Sequence, residues 1–243
     1  MSCTIVSAFL TNINEHRSLD KYIEYGRYLL NTSPNKVIFI EETIHNIYFK
    51  DVKYENTHFI FIQLNELYLY EYRDELHNFN VIHSNNSKDT IKYMFVQCNK
   101  TEWVRKAIEL NHFESEQFIW LDFGIYSVVN NKEDFDTHIN NLMYKSYENI
   151  RIATGIGFYN ENLNFDLLYH YICWEFLGGI FGGNKNALLE FADLMKEETL
   201  SIVQNKKLIC WEVNIWYMLS LKCRNDLFNK YYADHNTSMI ENY

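Results

Sequence analysis

Short runs of consecutive apolar residues alternate along the chain with stretches whose apolar positions recur every three or four residues. That alternation predicts strands interleaved with helices, and so an α/β fold with a mixed, mostly parallel central sheet flanked by helices. Residues 4–9 read as the first strand. Ser18 is placed to cap a helix reaching Leu30, with Leu19, Tyr22, Ile23, Gly26, Tyr28 and Leu29 or Leu30 on its inner face. Pro34-Asn35 is a turn into the apolar run Val37-Ile38-Phe39-Ile40, and residues 58–62 read as another strand. Residues 89–96 and 100–110 are helical by spacing, the second turning Trp103, Ala107, Ile108 and Leu110 inward. Phe118-Ile119-Trp120-Leu121 is apolar on both faces, which predicts a strand in the middle of a sheet covered on both sides. Residues 150–154 are a further strand candidate, residues 187–203 an amphipathic helix and residues 211–221 a more buried one. No repeat, low-complexity tract or Pro/Gly/Ser linker divides the sequence, so residues 1–243 read as one domain.

Composition narrows the function classes. With 243 residues, 47% hydrophobic and 22% charged, the chain can bury a sizeable core, which excludes wholesale disorder. Lys and Arg number 22 against 32 Asp and Glu, a net charge of −10. Such a balance gives no footprint for nucleic acid or an anionic membrane, although a local basic pocket for one small anion is still allowed. No apolar run approaches the roughly 20 residues of a membrane span, so no integral membrane segment is expected. The N-terminus enters a strand pattern at once, without the features of a signal peptide. A soluble cytoplasmic chain is the expectation (host cytoplasm or virion-associated, if the source is a virus). The cysteines at 3, 98, 173, 210 and 223 form no Cys-x-x-Cys pair and read as buried free thiols. The 29 Asn, 24 Ile and 19 Tyr, against 6 Ala, 8 Gly and 1 Pro, point to an AT-rich genome, bacterial or viral.

Four features can carry chemistry. Asp122 stands where the buried run 118–121 ends, the place where ligands gather in open α/β sheets; the alternative is a turn residue. Four of the eight glycines fall in the run Phe176-Leu177-Gly178-Gly179-Ile180-Phe181-Gly182-Gly183-Asn184, ahead of a helix. That run reads as a close backbone approach to a ligand or as a purely structural turn, and it matches no named nucleotide motif. Glu212, in Trp211-Glu212-Val213-Asn214-Ile215-Trp216, is a carboxylate in an apolar helix: a general-base candidate if buried, otherwise a surface or salt-bridged residue. The tail Tyr231-Tyr232-Ala233-Asp234-His235-Asn236 is either a frayed terminus or the source of a site histidine. Arg17 and Lys100 are potential phosphate partners and equally ordinary surface residues. No Ser-His-Asp, His-Glu-x-x-His or Cys-His signature appears.

The order of these features resembles nucleotide-sugar glycosyltransferases of the GT-A fold, and most of all the HtrL/YibB-like family of bacterial surface-glycan loci and giant viruses. The likeness is carried by Phe118-Ile119-Trp120-Leu121-Asp122-Phe123-Gly124, by the start Thr4-Ile5-Val6-Ser7-Ala8-Phe9 with Arg17, Tyr22 and Gly26, and by Pro34-Asn35-Lys36-Val37-Ile38-Phe39. It continues in Lys100-Thr101-Glu102-Trp103, the glycine run, the Trp-rich acidic helix and Tyr232-Ala233-Asp234-His235. The resemblance implies a single GT-A-like domain with a nucleotide-binding half at about 1–125 and a donor-sugar and acceptor half at about 126–243. It implies a metal-dependent transferase moving a sugar from a nucleotide diphosphate donor, with a UDP-sugar as first guess, to a glycan or other hydroxyl acceptor. Asp122 would bind Mn²⁺ or Mg²⁺, with His235 as a further ligand because Gly124 leaves the Asp-x-Asp motif one carboxylate short. Ala8, Phe9, Arg17, Glu41 and Lys100 would hold the nucleotide, and Gly182, Gly183 and Asn184 the donor sugar. Glu212 would be the catalytic base of an inverting reaction or, in a retaining one, would orient the sugar. The alternative is a degenerate relative that binds nucleotide or carbohydrate without turnover. A structural or interaction protein using its many aromatic residues is a third class.

Overall fold

The apolar run near the N-terminus extends as β1 (Cys3–Phe9), and the chain's other apolar runs assemble around it. The computed structural model describes residues 2–76, 87–155, 165–222 and 226–243. Its sheet holds β1, β2 (Asn35–Ile40), β3 (Thr57–Phe61), β4 (Gln117–Leu121), β5 (Ile150–Thr154), β6 (Phe176–Asn184) and β7 (Phe228–Tyr232). Their spatial order is β3-β2-β1-β4-β6-β5-β7. The first four in that order are mutually parallel, β5 and β7 pair in parallel, and β6 runs antiparallel to both β4 and β5.

Helices cover both faces, as the two-sided apolar run 118–121 predicts. They are α1 (Leu19–Leu30), α2 (Glu42–Tyr48), α3 (Ile91–Cys98), α4 (Lys100–Leu110), α5 (Phe135–Asn141), α6 (Lys185–Lys206), α7 (Glu212–Lys222) and the short α8 (Ser238–Glu241). Side chains alternate across a strand, so Phe118 and Trp120 pack with Phe95, Trp103, Phe191 and Trp216 on one face. Ile119 and Leu121 pack with Leu29, Ile139 and Met239 on the other. Each such side chain taken fully out of water contributes roughly 1.5–3 kcal/mol. Helix starts follow capping chemistry. Ser18 accepts from the Lys21 amide, and Thr90 caps α3 by accepting from the Tyr93 amide.

Leu19, Tyr28 and Leu110, expected on inner helix faces, are exposed instead, and two larger expectations change. The glycine run is not a turn before a helix but a nine-residue strand, β6, between β4 and β5. A Cβ on Gly183 would come within 2.5 Å of the Asn149 carbonyl, and one on Gly182 within 2.5 Å of the Phe118 carbonyl, so close backbone packing is what requires glycine there. Nor is the tail frayed. Tyr231 donates its hydroxyl to the Met239 carbonyl at 2.6 Å, and Tyr243 is buried over Gly182. Cys3, Cys98, Cys173 and Cys210 are buried free thiols, while Cys223 lies outside the described residues. Among the described residues no helix is long and apolar enough to cross a membrane.

Candidate functional site

The strand order itself marks where a crevice must open. From β1 the chain crosses to β2 and β3 on one side; after β3 it returns to β4 on the other side of β1. The loops leaving β1 and β4 therefore diverge, and a gap remains beyond their carboxyl ends. A cavity of about 280 Å³ sits there, lined by Ala8 and Phe9 from β1, Asp122 after β4, Gly178 and Gly179 of β6, and Trp211 and Glu212 at the start of α7.

The loop of residues 10–17 is tied down from behind. Glu41 accepts from the Thr11 amide at 2.8 Å and the Thr11 hydroxyl at 2.6 Å. Thr90 donates its hydroxyl to the Ile13 carbonyl at 2.6 Å, and the Glu15 amide donates to the Ser87 carbonyl at 2.9 Å. These bonds bring Arg17 and Lys88 to the same cavity wall. The Arg17 guanidinium lies 5.7 Å from the Tyr22 ring centroid and 5.9 Å from that of Tyr25.

Lys100 organises the floor. It opens α4, where the helix dipole disfavours a cation, and its side chain is only 2% exposed. Two carboxylates explain its presence: its Nζ lies 2.9 Å from Glu212 Oε1 and 3.0 Å from Asp122 Oδ1, and it also donates to the Gly178 carbonyl at 2.9 Å. Three acceptors match the three protons of an ammonium. Burial works against the charged form, but Asp122 and Glu212 outweigh it and raise the Lys100 pKa. Glu212 is as buried as Lys100, and burial raises its pKa despite that partner. Gly178 makes this packing possible, since a Cβ there would lie 2.5 Å from Glu212 Oε1 and 3.4 Å from Lys100 Nζ.

Asp122 differs from Glu212 in being 40% exposed. Its Oδ1 accepts from Trp120 Nε1 at 2.8 Å as well as pairing with Lys100, so Oδ2 is the oxygen left to a ligand. His235 lines the same cavity, and its pKa is lowered by burial and by Lys88 and Arg17, with Asp122 opposing, which keeps the imidazole neutral near pH 7. Among the described residues no three His, Cys, Asp or Glu cluster as metal ligands. Asp122 and His235 therefore suit a divalent cation only as a partial set, to be completed by oxygens of a substrate.

The sequence-predicted residues divide accordingly. Ala8, Phe9, Arg17, Lys100, Asp122, Glu212 and His235 line one cavity. Glu41 does not; it braces the loop that does. Gly182, Gly183 and Asn184 do not line it either, because β6 runs antiparallel and pairs them with Ile119, Phe118 and Gln117, back along β4 from Asp122. Asn184 instead caps α6, accepting from the Ala187 amide. The glycines at the cavity are Gly178 and Gly179. Lys88, Trp174 and Trp211 also belong to the wall. Only Trp211, beside Glu212, carried a sequence signal; Lys88 and Trp174 lie in irregular segments without a motif.

The fold and this site define a doubly wound α/β protein with a crevice at its switch point lined by both basic and acidic side chains. The chain belongs to the HtrL_YibB family, whose model, described as a bacterial protein of unknown function, matches residues 1–236. No curated protein matches it. Among solved structures it is similar to 4-diphosphocytidyl-2C-methyl-D-erythritol synthase from Anaerococcus prevotii, at 8% identity and a TM-score of 0.41 over 96% of this chain and 86% of that one. It is likewise similar to the bifunctional IspDF from Campylobacter jejuni, at 12% identity and a TM-score of 0.41 over 96% of this chain and 50% of that one.

Proposed function

We propose that the protein is a transferase that takes a sugar from a nucleotide diphosphate donor and passes it to a hydroxyl acceptor. One observation carries this reading: in a chain of net charge −10, Arg17 and Lys88 converge on a single crevice at the switch point, beside a half-exposed carboxylate. Such a crevice selects a small, highly charged anion, and a diphosphate has that chemistry.

In this reading Ala8 and Phe9 flank the base and ribose, and Arg17 and Lys88 receive the phosphates. Asp122, through Oδ2, and His235 would hold Mn²⁺ or Mg²⁺ against the phosphate oxygens, where the ion would neutralise charge on the departing nucleoside diphosphate. The acceptor oxygen attacks the anomeric carbon, the bond from that carbon to the diphosphate oxygen breaks, and the acceptor proton passes to Glu212. A base in that role predicts inversion at the anomeric carbon. A UDP-sugar is the first donor to try.

Calorimetric titration of UDP, GDP, CDP and dTDP, with and without Mn²⁺, tests the reading on wild type and Asp122→Ala. Binding of one nucleotide, with a manganese-dependent part lost in the variant, is the expected result. No binding of any nucleotide by folded protein refutes it. A second reading, binding without turnover, is favoured by Gly124, which leaves the strand end with one carboxylate. Intact nucleotide binding with no transfer or hydrolysis across a panel of nucleotide sugars would select that reading.

A further inference from the structure

Part of the crevice wall is aromatic. The rings of Trp174 and Trp211 stand 6.0 Å apart at 59°, and both line the cavity that Glu212 lines. Trp211 is fixed in place: its Nε1 donates to Asp89 Oδ1 at 2.9 Å, and the Tyr93 ring meets it edge-on at 5.5 Å. Trp174 is 42% exposed, although a ring of that size is mostly buried in folded proteins.

The exposure is not slackness, because the backbone on both sides of Trp174 is clamped. The Cys173 amide donates to Asn214 Oδ1 at 2.7 Å, and Asn214 Nδ2 donates to the carbonyls of Leu168 at 2.7 Å and Tyr171 at 2.6 Å. The Gly155 amide donates to the Glu175 carbonyl at 3.2 Å. A Cβ on Gly155 would come within 3.0 Å of the Trp174 carbonyl, so the glycine permits that approach. One short stretch of chain thus supplies a wall (Trp211), a carboxylate (Glu212) and the clamp (Asn214) that presents Trp174. Glu212 Oε2 is buried and has no hydrogen-bond partner among the described residues.

We propose that Trp174, backed by the buried Trp211, is the platform for a pyranose ring of a carbohydrate acceptor, which presents its attacking hydroxyl toward Glu212. A pyranose has a face of C–H groups that packs on an aromatic ring and an edge of hydroxyls that must donate hydrogen bonds. The polar atom beside this wall that lacks a partner among the described residues is Glu212 Oε2, a carboxylate oxygen that accepts a hydrogen bond. A nucleobase edge, with its mixture of donors and acceptors, is served less well. This inference rests on the transferase reading above and names its acceptor class.

The test is saturation-transfer NMR on the full chain with the methyl glycosides of glucose, galactose and N-acetylglucosamine, with and without saturating UDP and Mn²⁺. UDP affinity is measured in parallel by calorimetry. At least one glycoside binds wild type. Trp174→Ala weakens that glycoside about tenfold and Trp174→Phe no more than about threefold, while UDP affinity is unchanged in both. Glycoside binding untouched by Trp174→Ala, or absent from nucleotide-loaded wild type, overturns the platform and leaves the donor site standing. A matching loss of UDP affinity in Trp174→Ala also overturns it, by giving the ring to the base. Failure of all four nucleoside diphosphates to bind wild type refutes the transferase reading instead, and the glycoside titration without nucleotide still reports on the platform.

Discussion

Replacing Lys100 by Met is the perturbation whose size follows most directly from the geometry. The side chains of Lys100 and Glu212 are each 2% exposed and 2.9 Å apart, so the substitution leaves a carboxylate buried without its counter-charge. Breaking a buried pair from one side costs about 3–5 kcal/mol, far more than the pair itself adds over an apolar replacement. For a chain of this length each kcal/mol lowers the melting temperature by roughly 2–4 °C, so a loss of about 6–20 °C is expected by calorimetry. The pH dependence is specific. In the variant Glu212 has an even higher folded pKa than in wild type, above its unfolded value of 4.5. The folded state then holds a proton that the unfolded state releases, so stability falls as pH rises from 4.5 through that folded pKa. The deficit against wild type is therefore small in acid and full at neutral pH. Adding Glu212→Gln removes the orphaned charge and recovers much of the loss, a coupling that a double-mutant cycle measures. A Lys100→Met protein melting within about 2 °C of wild type at pH 7 would refute this account of the floor. So would a deficit indifferent to pH and to Glu212→Gln.

Three further outcomes follow from contacts elsewhere. Gly178→Ala drives a Cβ to 2.5 Å from Glu212 Oε1 and 3.1 Å from Val213, and should cost about 1–3 kcal/mol in denaturant melts, whereas Gly124→Ala meets only Tyr22 at 3.4 Å and Arg17 at 3.9 Å and should cost little. Lys36 is fully buried, donating to the carbonyls of Thr32 at 2.6 Å and Pro34 at 2.7 Å, and burial lowers its pKa to about 7 from 10.5. Its unfolded state binds the extra proton between those values, so stability should rise from pH 7 to 10.5, a slope that Lys36→Met removes in pH-dependent melts. Lys88→Met takes away one of the charges that holds His235 low, so the imidazole titration followed by NMR should move to higher pH; an unmoved titration would separate Lys88 from the site.

Elements whose own residues settle their state were legible in the sequence. The run 118–121 is apolar on both faces and can only be a central strand, and Ser18 caps the helix that its spacing announces. The place of Asp122 was legible too, because it follows a buried parallel strand and the crevice of an open α/β sheet lies beyond such carboxyl ends. The glycine run was misread because β6 owes its state to its neighbours: its paired glycines break any alternation of side chains, and only the Phe118 and Asn149 carbonyls pressing on it show why glycine stands in a strand there.

What the sequence by itself determined is the α/β class, the buried strands and which side chains are chemically able to serve a site, since periodicity and residue chemistry are local properties. The tertiary structure decided which of them meet. The antiparallel course of β6 carries Gly182, Gly183 and Asn184 away from the crevice and leaves Gly178 and Gly179 in it. Lys100 and Glu212, 112 residues apart, become one buried ion pair, and Lys88 and Trp174 join the wall from segments with no pattern of their own. Pairings over such separations are fixed by strand order and by the need of buried charges for partners, and neither is written in a local stretch of chain.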